Sequence, residues 1–449
     1  MSRRKFITNS IMGGAAVMSG SIFSGLATAM SATSYRRIIG ANDRLKVAIA
    51  GLGRRAGAFY EPIALKSSNV ELVYLCDVMR SQRERALKEF SKHADYSPKP
   101  ENDIRKVIDD KKVDVLINST PDHWHTPGSI MAMKAGKHVY VEKPSSHNMD
   151  ENEMLVAAAK KYDKVVQMGN QQRSSDHTIE LMNDIHNGAI GKPYRAVAFY
   201  VNSRGPVPVQ KKAPVPEGLD WELWQGPAVH RDYTAETWDY NWHWYGWNYG
   251  TAEAGNNGTH ELDIARWALQ VGFPEHVRVE AGKRQFKDDG WEMYDSMEAT
   301  FNFPDNKIIQ WDGKSRNGYN TYGAGRGTII YGSEGGAFVD RERYEMTDLS
   351  GKVIKERRSG SNESGTALGG GGDSSTAHVI NFFNSVRGIE KLQAPIEDAA
   401  VSMAMVHYAN MAYRTGKDFA IDEKKGKIYD RDAMALWSRE YEKGWEPQI

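Results

Sequence analysis

Leu45-Lys46-Val47-Ala48-Ile49-Ala50-Gly51-Leu52-Gly53-Arg54-Arg55-Ala56-Gly57 reads as a short buried strand that runs into a glycine turn. A helix is expected to begin inside the turn and to carry Phe59, Ile63 and Leu65 toward a second strand, Val70–Cys76, which ends at Asp77. This is the spacing of a nucleotide-binding strand-helix-strand unit. Gly51 makes the tight turn, Gly53 lets the backbone approach a pyrophosphate, Ala56 sits where helix packs on strand, and Asp77 reaches the ribose hydroxyls. A carboxylate there bonds a free 2′-hydroxyl and repels a 2′-phosphate, so NAD is the expected cofactor. Arg80, three residues on, keeps NADP open.

Outward from this unit the alternation continues. Val113-Asp114-Val115-Leu116-Ile117 and His138-Val139-Tyr140-Val141 read as parallel strands with a helix over 127–135 between them, and Val165-Val166-Gln167-Met168 closes the first domain. From Gly169 the texture changes: strands over 195–201, 276–281, 297–303 and 307–312 lie closer together, separated by turns and one long aromatic loop. Their alternation predicts a sheet with one face under helix and the other open to ligand or partner. A helix over 397–415 ends at Gly416, a suitable cap. The fold class expected is α/β: a Rossmann doubly wound parallel sheet over 43–168, then an α+β domain over 169–449 with a large, open-faced, mostly antiparallel sheet. The glycine run at 369–372 reads as a surface loop, with a pocket-edge lid as the alternative.

Before this stands Ser2-Arg3-Arg4-Lys5-Phe6-Ile7, an apolar run over 11–26, and Ala27-Thr28-Ala29. A charged start, modest apolar core and small-residue exit describe a processed leader of the twin-arginine route over 1–29, followed by a linker over 30–42. Gly13, Gly14, Gly20 and Gly25 dilute the run and argue against an uncleaved anchor. The expectation is therefore a periplasmic protein that is not integral to the membrane after cleavage. Across the chain 58 basic residues balance 58 acidic ones, so neither nucleic acid nor an anionic membrane is indicated as a partner. Cys76, the only cysteine, allows no intramolecular disulfide and sits in an apolar run that reads as core.

Two further segments fall where doubly wound sheets hold their ligands, beyond the carboxyl ends of strands: Asn118-Ser119-Thr120-Pro121-Asp122-His123-Trp124-His125 and Glu142-Lys143-Pro144. His123 and His125 beside Asp122 suggest metal ligands, but no third clustered ligand accompanies them and no metal site is expected. Between Trp221 and Tyr249 the chain holds six tryptophans and four tyrosines. That density is hard to bury completely, and indoles stack on the apolar faces of pyranose rings. Trp244, Tyr245 and Trp247 are the candidate substrate contacts, with Asn241, His243 and Asn248 for hydroxyls; a packed loop or an oligomer contact is the alternative.

The glycine turn, Thr120-Pro121-x-x-x-His125, the Gly136-Lys137-His138-Val139 approach to Glu142-Lys143-Pro144, and the later His260-x-x-Asp263 together resemble the Gfo/Idh/MocA superfamily of glucose-fructose oxidoreductase, inositol dehydrogenase and rhizopine catabolism. Trp221-Glu222-Leu223-Trp224-x-Gly226-Pro227 is similar to an element of its exported members. The resemblance implies that Asn118, Thr120, Pro121, His125, Glu142 and Lys143 wall the cofactor pocket, with Lys143 beside both nicotinamide and reacting carbinol. It makes His260 the base and brings Asp263 to the substrate. Hydride leaves carbon only as the hydroxyl proton is taken, so a base and a cation at that oxygen are needed. Many members carry an aspartate where this chain has Asn256, whose amide accepts no proton but both donates and accepts hydrogen bonds. The activity implied is an NAD(P)-dependent oxidoreductase acting on a hydroxyl of a sugar or sugar derivative, its cofactor tightly held and recycled internally because an exported enzyme has no soluble pool to exchange with. A redox-neutral glycoside hydrolase or lyase acting through a 3-keto intermediate, and a non-catalytic sugar-binding protein that keeps the fold, are the alternatives. Assembly as a homodimer or homotetramer is implied as well.

Overall fold

In the computed structural model, residues 43–359 and 373–449 are described. The leader, the 30–42 linker and the 369–372 glycine run lie outside them. Strands β1 (Leu45–Ala50), β2 (Val70–Cys76), β3 (Lys99–Glu101), β4 (Val115–Asn118), β5 (His138–Val141) and β6 (Val166–Met168) form one sheet in the order 3-2-1-4-5-6. Every neighbouring pair in it is parallel. That is the doubly wound dinucleotide order, and β1 beside β4 is its switch point. β4 is buried along its whole length and β1 over its last four residues, which is why both read as unbroken apolar runs rather than as alternation. Cys76, at the end of β2, is core, and burial pushes its thiol pKa up.

Two local expectations are corrected. The helix after β1 is a 3-10 turn, Ala56–Phe59, joined to the single helical turn Tyr60–Ala64. Pro62 offers no amide donor there, and Leu65 is already extended and exposed. The helix expected over 127–135 spans Asp122–Lys134 and so begins inside the Thr-Pro-x-x-x-His motif, with Pro121 at its N-cap. Pro127 within it cannot donate to the His123 carbonyl; that oxygen accepts instead from Arg439 Nη2 at 2.7 Å.

The second sheet has nine strands: β7 (Pro193–Val201), β8 (His276–Gly282), β9 (Ser296–Phe303), β10 (Lys307–Lys314), β11 (Arg326–Gly332), β12 (Gly335–Val339), β13 (Arg343–Asp348), β14 (Val353–Arg358) and β15 (Phe419–Ala420). Their order is 14-13-12-11-7-10-9-8-15, antiparallel throughout except for the β7–β10 pair. The helix Thr259–Leu269, buried at all but one residue, covers one face against β7, β10 and β11. Tyr194 and Tyr331 are exposed on the strands β7 and β11. The helix Ile396–Thr415 packs on both the helix Met149–Tyr162 and β8, joining the two halves. Gly416 closes it at φ 65°, in the left-handed region that glycine tolerates. Among the described residues no helix is long and apolar enough to cross a membrane.

Candidate active site

A cleft open to solvent runs from the carboxyl ends of the parallel strands to residues 238–260 of the second half. Its first wall is backbone. Gly51 has φ 85°, and a Cβ there would lie 2.3 Å from the Ser119 carbonyl oxygen, so no other residue fits where the β1 and β4 turns cross. A Cβ at Gly53 would meet no atom within 4 Å, which leaves that stretch of the wall open to the cleft. Ala56 is buried behind the turn in the packing position read from the motif.

Asp77 lines the cleft at the end of β2. Its carboxylate accepts from Leu52 N at 2.7 Å and Met79 N at 2.8 Å, which fixes its orientation and leaves further acceptor capacity on both oxygens. Burial pushes its pKa up while those amides and Arg83 and Arg85 pull it back. Arg80 turns away from the cleft to Glu217, 3.3 Å off at the surface.

Thr120, Pro121 and His125 line the cleft, but Asn118 does not. Asn118 Nδ2 donates to the His125 carbonyl at 2.9 Å and its Oδ1 accepts from Thr120 Oγ1 at 2.6 Å, so it braces the turn from inside. His125 Nδ1 donates to the Pro144 carbonyl at 2.6 Å, while its buried Nε2 has no partner among the described residues. His123 points elsewhere, Nε2 donating to the Trp224 carbonyl at 2.9 Å, and burial drives its pKa down to about 3. Among the described residues no group of three or more metal-ligating side chains is assembled.

Glu142 reaches the cleft with its carboxylate already engaged by Arg55 Nε at 2.8 Å, Gln171 Nε2 at 3.0 Å and the Lys143 amide at 3.2 Å. It is a pin between the glycine turn and β5, more than a free ligand. Lys143 is half-buried in the cleft, and its Nζ donates to the Asn256 carbonyl at 2.5 Å and to Asn256 Oδ1 at 3.3 Å. Burial lowers the Lys143 pKa, with Glu142 and Asp122 opposing. Asn256 sits in a π-helical turn, Ala254–Gly258, a local widening that recurs at functional sites. Its Nδ2 donates to Glu253 Oε1 at 3.4 Å, and Asn257 donates to the same oxygen. An aspartate at 256 would face Glu253 as a like charge, which explains the amide: Asn256 links the ammonium to a carboxylate one turn away.

His260 follows on the helix Thr259–Leu269 and lines the same cleft. Burial, then the charges of Arg341, Lys143 and Arg326, hold its pKa well below the usual imidazole value, so its resting form is the neutral ring. Asp122, also on the cleft wall, accepts from Thr251 Oγ1 at 2.6 Å and Thr251 N at 3.2 Å; burial pushes its pKa up to about 7, against Thr251 and Lys143. The sequence reading gave no role to Arg55, Asp122 or Glu253. Only Glu253 left a signal, the three- and four-residue spacing to Asn256 and Asn257.

Of the remaining substrate candidates His243 reaches the cleft, whereas Asp263, Trp244, Tyr245, Trp247, Asn241 and Asn248 do not. Asp263 is buried in a two-point ion pair with Arg173 (2.7 and 2.8 Å) and accepts from Ser402 Oγ at 2.6 Å. Although it is only three residues from His260 on the same helix, its carboxylate is taken up by these partners and does not line the cleft. Trp244 stacks on Trp291 at 3.9 Å and 8°, Tyr245 donates to the Pro208 carbonyl at 2.7 Å, and Trp247 packs under Arg414. Seven of the ten aromatic residues from Trp221 to Tyr249 are buried, so most of the stretch is packing. The aromatic cleft wall is made by Trp224, Trp238, Tyr240 and Trp242, with His243 among them.

Two consecutive family models match this chain: an oxidoreductase family NAD-binding Rossmann fold over 45–170, and the C-terminal alpha/beta domain of the same family over 199–343. The chain belongs to the Gfo/Idh/MocA oxidoreductase family. Inositol 2-dehydrogenase of Salmonella typhimurium is 31% identical over 161 residues, 35% of this chain and 46% of that protein. Glycosyl hydrolase family 109 protein 1 of a Shewanella species is 28% identical over 166 residues, 36% of each chain. The match thus spans less than half the length of either curated relative. Among solved structures, aldose-aldose oxidoreductase from Caulobacter crescentus superposes with TM-score 0.61 at 18% identity, covering 84% of this chain and 100% of that one. The WlbA dehydrogenase from Bordetella pertussis, solved with NADH and UDP-GlcNAcA, gives TM-score 0.61 at 17% identity over 84% and 99%. The first domain of this Gfo/Idh/MocA protein is an NAD-binding Rossmann fold. Its residues fit the cofactor: the side-chain-free wall at Gly51 and Gly53, the acceptor carboxylate of Asp77 and the unpartnered His125 Nε2 line one continuous cleft.

Proposed function

We propose that the protein oxidises a hydroxyl-bearing carbon of a sugar or sugar derivative, with Lys143 and His260 as the groups that handle the hydroxyl. The observation that carries this is the presence of both side chains in the cleft that Gly51, Gly53 and Asp77 line. NAD bound along the glycine wall supplies the hydride acceptor. Lys143 donates a hydrogen bond to the reacting oxygen and stabilises the negative charge that develops there. Asn256, oriented by Glu253, holds the ammonium in place from the other side. Neutral His260 takes the hydroxyl proton. Tyr240, Trp238 and Trp242 offer apolar faces for a sugar ring.

The twin-arginine leader supports export to the periplasm, and with it a cofactor that stays bound and is returned to its starting state within each cycle. Exposed Tyr194 and Tyr331 on the open sheet support a homodimer or homotetramer. A redox-neutral glycoside hydrolase, supported by the family 109 relative, is the second reading. The test is to mix the NAD-loaded protein with a panel of sugars and aryl glycosides and to follow bound-cofactor absorbance and aglycone together. Reduction by a free sugar, lost in Lys143→Ala and His260→Ala, is expected. Aglycone release without net reduction moves the assignment to the hydrolase, and unchanged turnover in both variants refutes the site.

A further inference from the structure

His243 stands in the short helical turn Asn241–His243, on the cleft wall with Tyr240 and Trp242. Its Nδ1 lies 2.7 Å from the Tyr240 carbonyl oxygen. A carbonyl oxygen only accepts, so Nδ1 carries the proton, and in a neutral ring Nε2 is left with a lone pair and no hydrogen. The one hydrogen bond of the ring to the described residues is that of Nδ1, and the ring is only partly buried, so Nε2 is open to the cleft. The plane of the ring is fixed by Trp242, stacked at 3.6 Å and 21°, and by Tyr240 at 4.5 Å. Burial, together with the charges of Lys143, Arg204 and Arg54, keeps the imidazole neutral far below physiological pH. Lys143 acts in the same way on His260, so one ammonium donor serves a part of the cleft that holds two neutral imidazoles.

No side chain among the described residues donates to this acceptor, so in the open cleft water serves it until a ligand hydroxyl takes its place. Two acceptors around one donor match a pair of neighbouring hydroxyls: the reacting oxygen accepts from Lys143 and gives its proton to His260, and the adjacent hydroxyl donates to His243. We propose that His243 is a substrate-positioning residue whose Nε2 accepts a hydrogen bond from the hydroxyl next to the reacting one, so that the cleft selects a vicinal diol on a cyclic polyol. This rests on the dehydrogenase reading above for the identity of the reacting oxygen.

The test uses the NAD-loaded protein with myo-inositol and D-glucose as probes. Diethyl pyrocarbonate attacks unprotonated, accessible imidazole nitrogens, and peptide mapping locates the adduct. Modification of His243 is expected, with protection by at least one of the two polyols. Calorimetry then compares variants. His243→Asn places an amide near the Nδ1 position, keeps the bond to Tyr240 and removes the Nε2 acceptor; about tenfold weaker polyol binding is expected, with NAD affinity and melting temperature unchanged. His243→Gln returns an acceptor near the Nε2 position and should recover most of the loss. His243 left unmodified, modified equally with and without both polyols, or replaced by Asn without cost to polyol binding overturns the proposal. Bound cofactor that is still reduced in a Lys143-dependent way alongside any of these results would leave the dehydrogenase reading standing. Protein that takes up no NAD would overturn that reading instead, while the modification and protection of His243 would still be measured.

Discussion

On the wall built from β1, β2, β4 and β5, the carboxylates that reach the cleft are tied down: Asp77 by two backbone amides, Asp122 by Thr251, Glu142 by Arg55, Gln171 and the Lys143 amide. On the wall from 238 to 260 the polar groups are two neutral imidazoles, the amides of Asn256 and Asn257 and, at the surface, Asp239, set among aromatic rings. The first wall is a preorganised cradle whose geometry is backbone and ion pair; the second offers proton acceptors and ring faces whose worth depends on what binds. Lys143 spans the two, anchored on the first in sequence and hydrogen-bonded to the second through Asn256. Binding of the dinucleotide should therefore be sensitive to backbone changes on one wall, and choice of substrate to side-chain changes on the other.

The largest break in this contrast is Lys143→Ala, which leaves both walls standing and removes the group between them. Turnover should fall about 10³-fold or more, with NAD affinity within about threefold of wild type, as measured by kcat and calorimetry. Gly51→Ala attacks the first wall alone. Its Cβ has no room beside Ser119, so loss of NAD binding and destabilisation of about 3 kcal/mol or more are expected in thermal and denaturant melts. Asp263→Asn should cost about 2 kcal/mol by removing one of the two carboxylates that pair with the buried Arg173 guanidinium, Asp398 remaining at 2.7 Å, with little change in KM for any substrate that retains turnover. That outcome would separate Asp263 from the cleft despite its place beside His260.

Asp122→Asn sharpens the comparison through pH. The ordinary carboxyl pKa of 3.8 is raised to about 7 in the folded protein, so between these values the unfolded chain ionises first and the native state holds the extra proton. The stability tied to this proton is fully present below pH 3.8 and is lost as pH rises to about 7. The asparagine variant lacks this dependence. Relative to wild type its stability should climb across that window and level off near neutrality at a gain of at most about 4 kcal/mol, read from denaturant midpoints at each pH. The smallest effect is Arg80→Ala: NAD affinity should change less than twofold, since Arg80 faces Glu217 at the surface.

The first wall was legible in sequence because its requirements are requirements on backbone. Gly51 at a positive φ, Ala56 behind the turn and Asp77 at a strand end are fixed by spacing, and spacing is what a sequence displays. The four strands anticipated in the second sheet lie within two residues of where they form, whereas β11 to β15 were not anticipated: β11 and β12 carry glycines, β14 is exposed along its whole length and β15 is two residues long, while β13 alternates in burial but only two of its six residues are buried. The second wall was legible only in outline. An irregular loop has no period of 2 or 3.6 to say which side chains face inward, so Trp244, Tyr245 and Trp247 were read at the site and Trp238, Tyr240 and Trp242 were found there. Asp263 misled for a related reason: three residues from His260 on one helix, it points to Arg173 and Ser402 rather than to the cleft. Asn118 is the converse case, placed in the right motif but turned inward to brace it.

The account depends on a dinucleotide lying in the cleft that holds Lys143 and His260, and calorimetric titration of the purified protein, cleared of nucleotide, with NAD tests this most directly. One NAD per chain is predicted, with binding abolished in Gly51→Ala, weakened in Asp77→Ala and retained in Lys143→Ala. Protein that is folded by circular dichroism yet takes up no NAD at any concentration, or that binds it equally well in Gly51→Ala, would contradict the account.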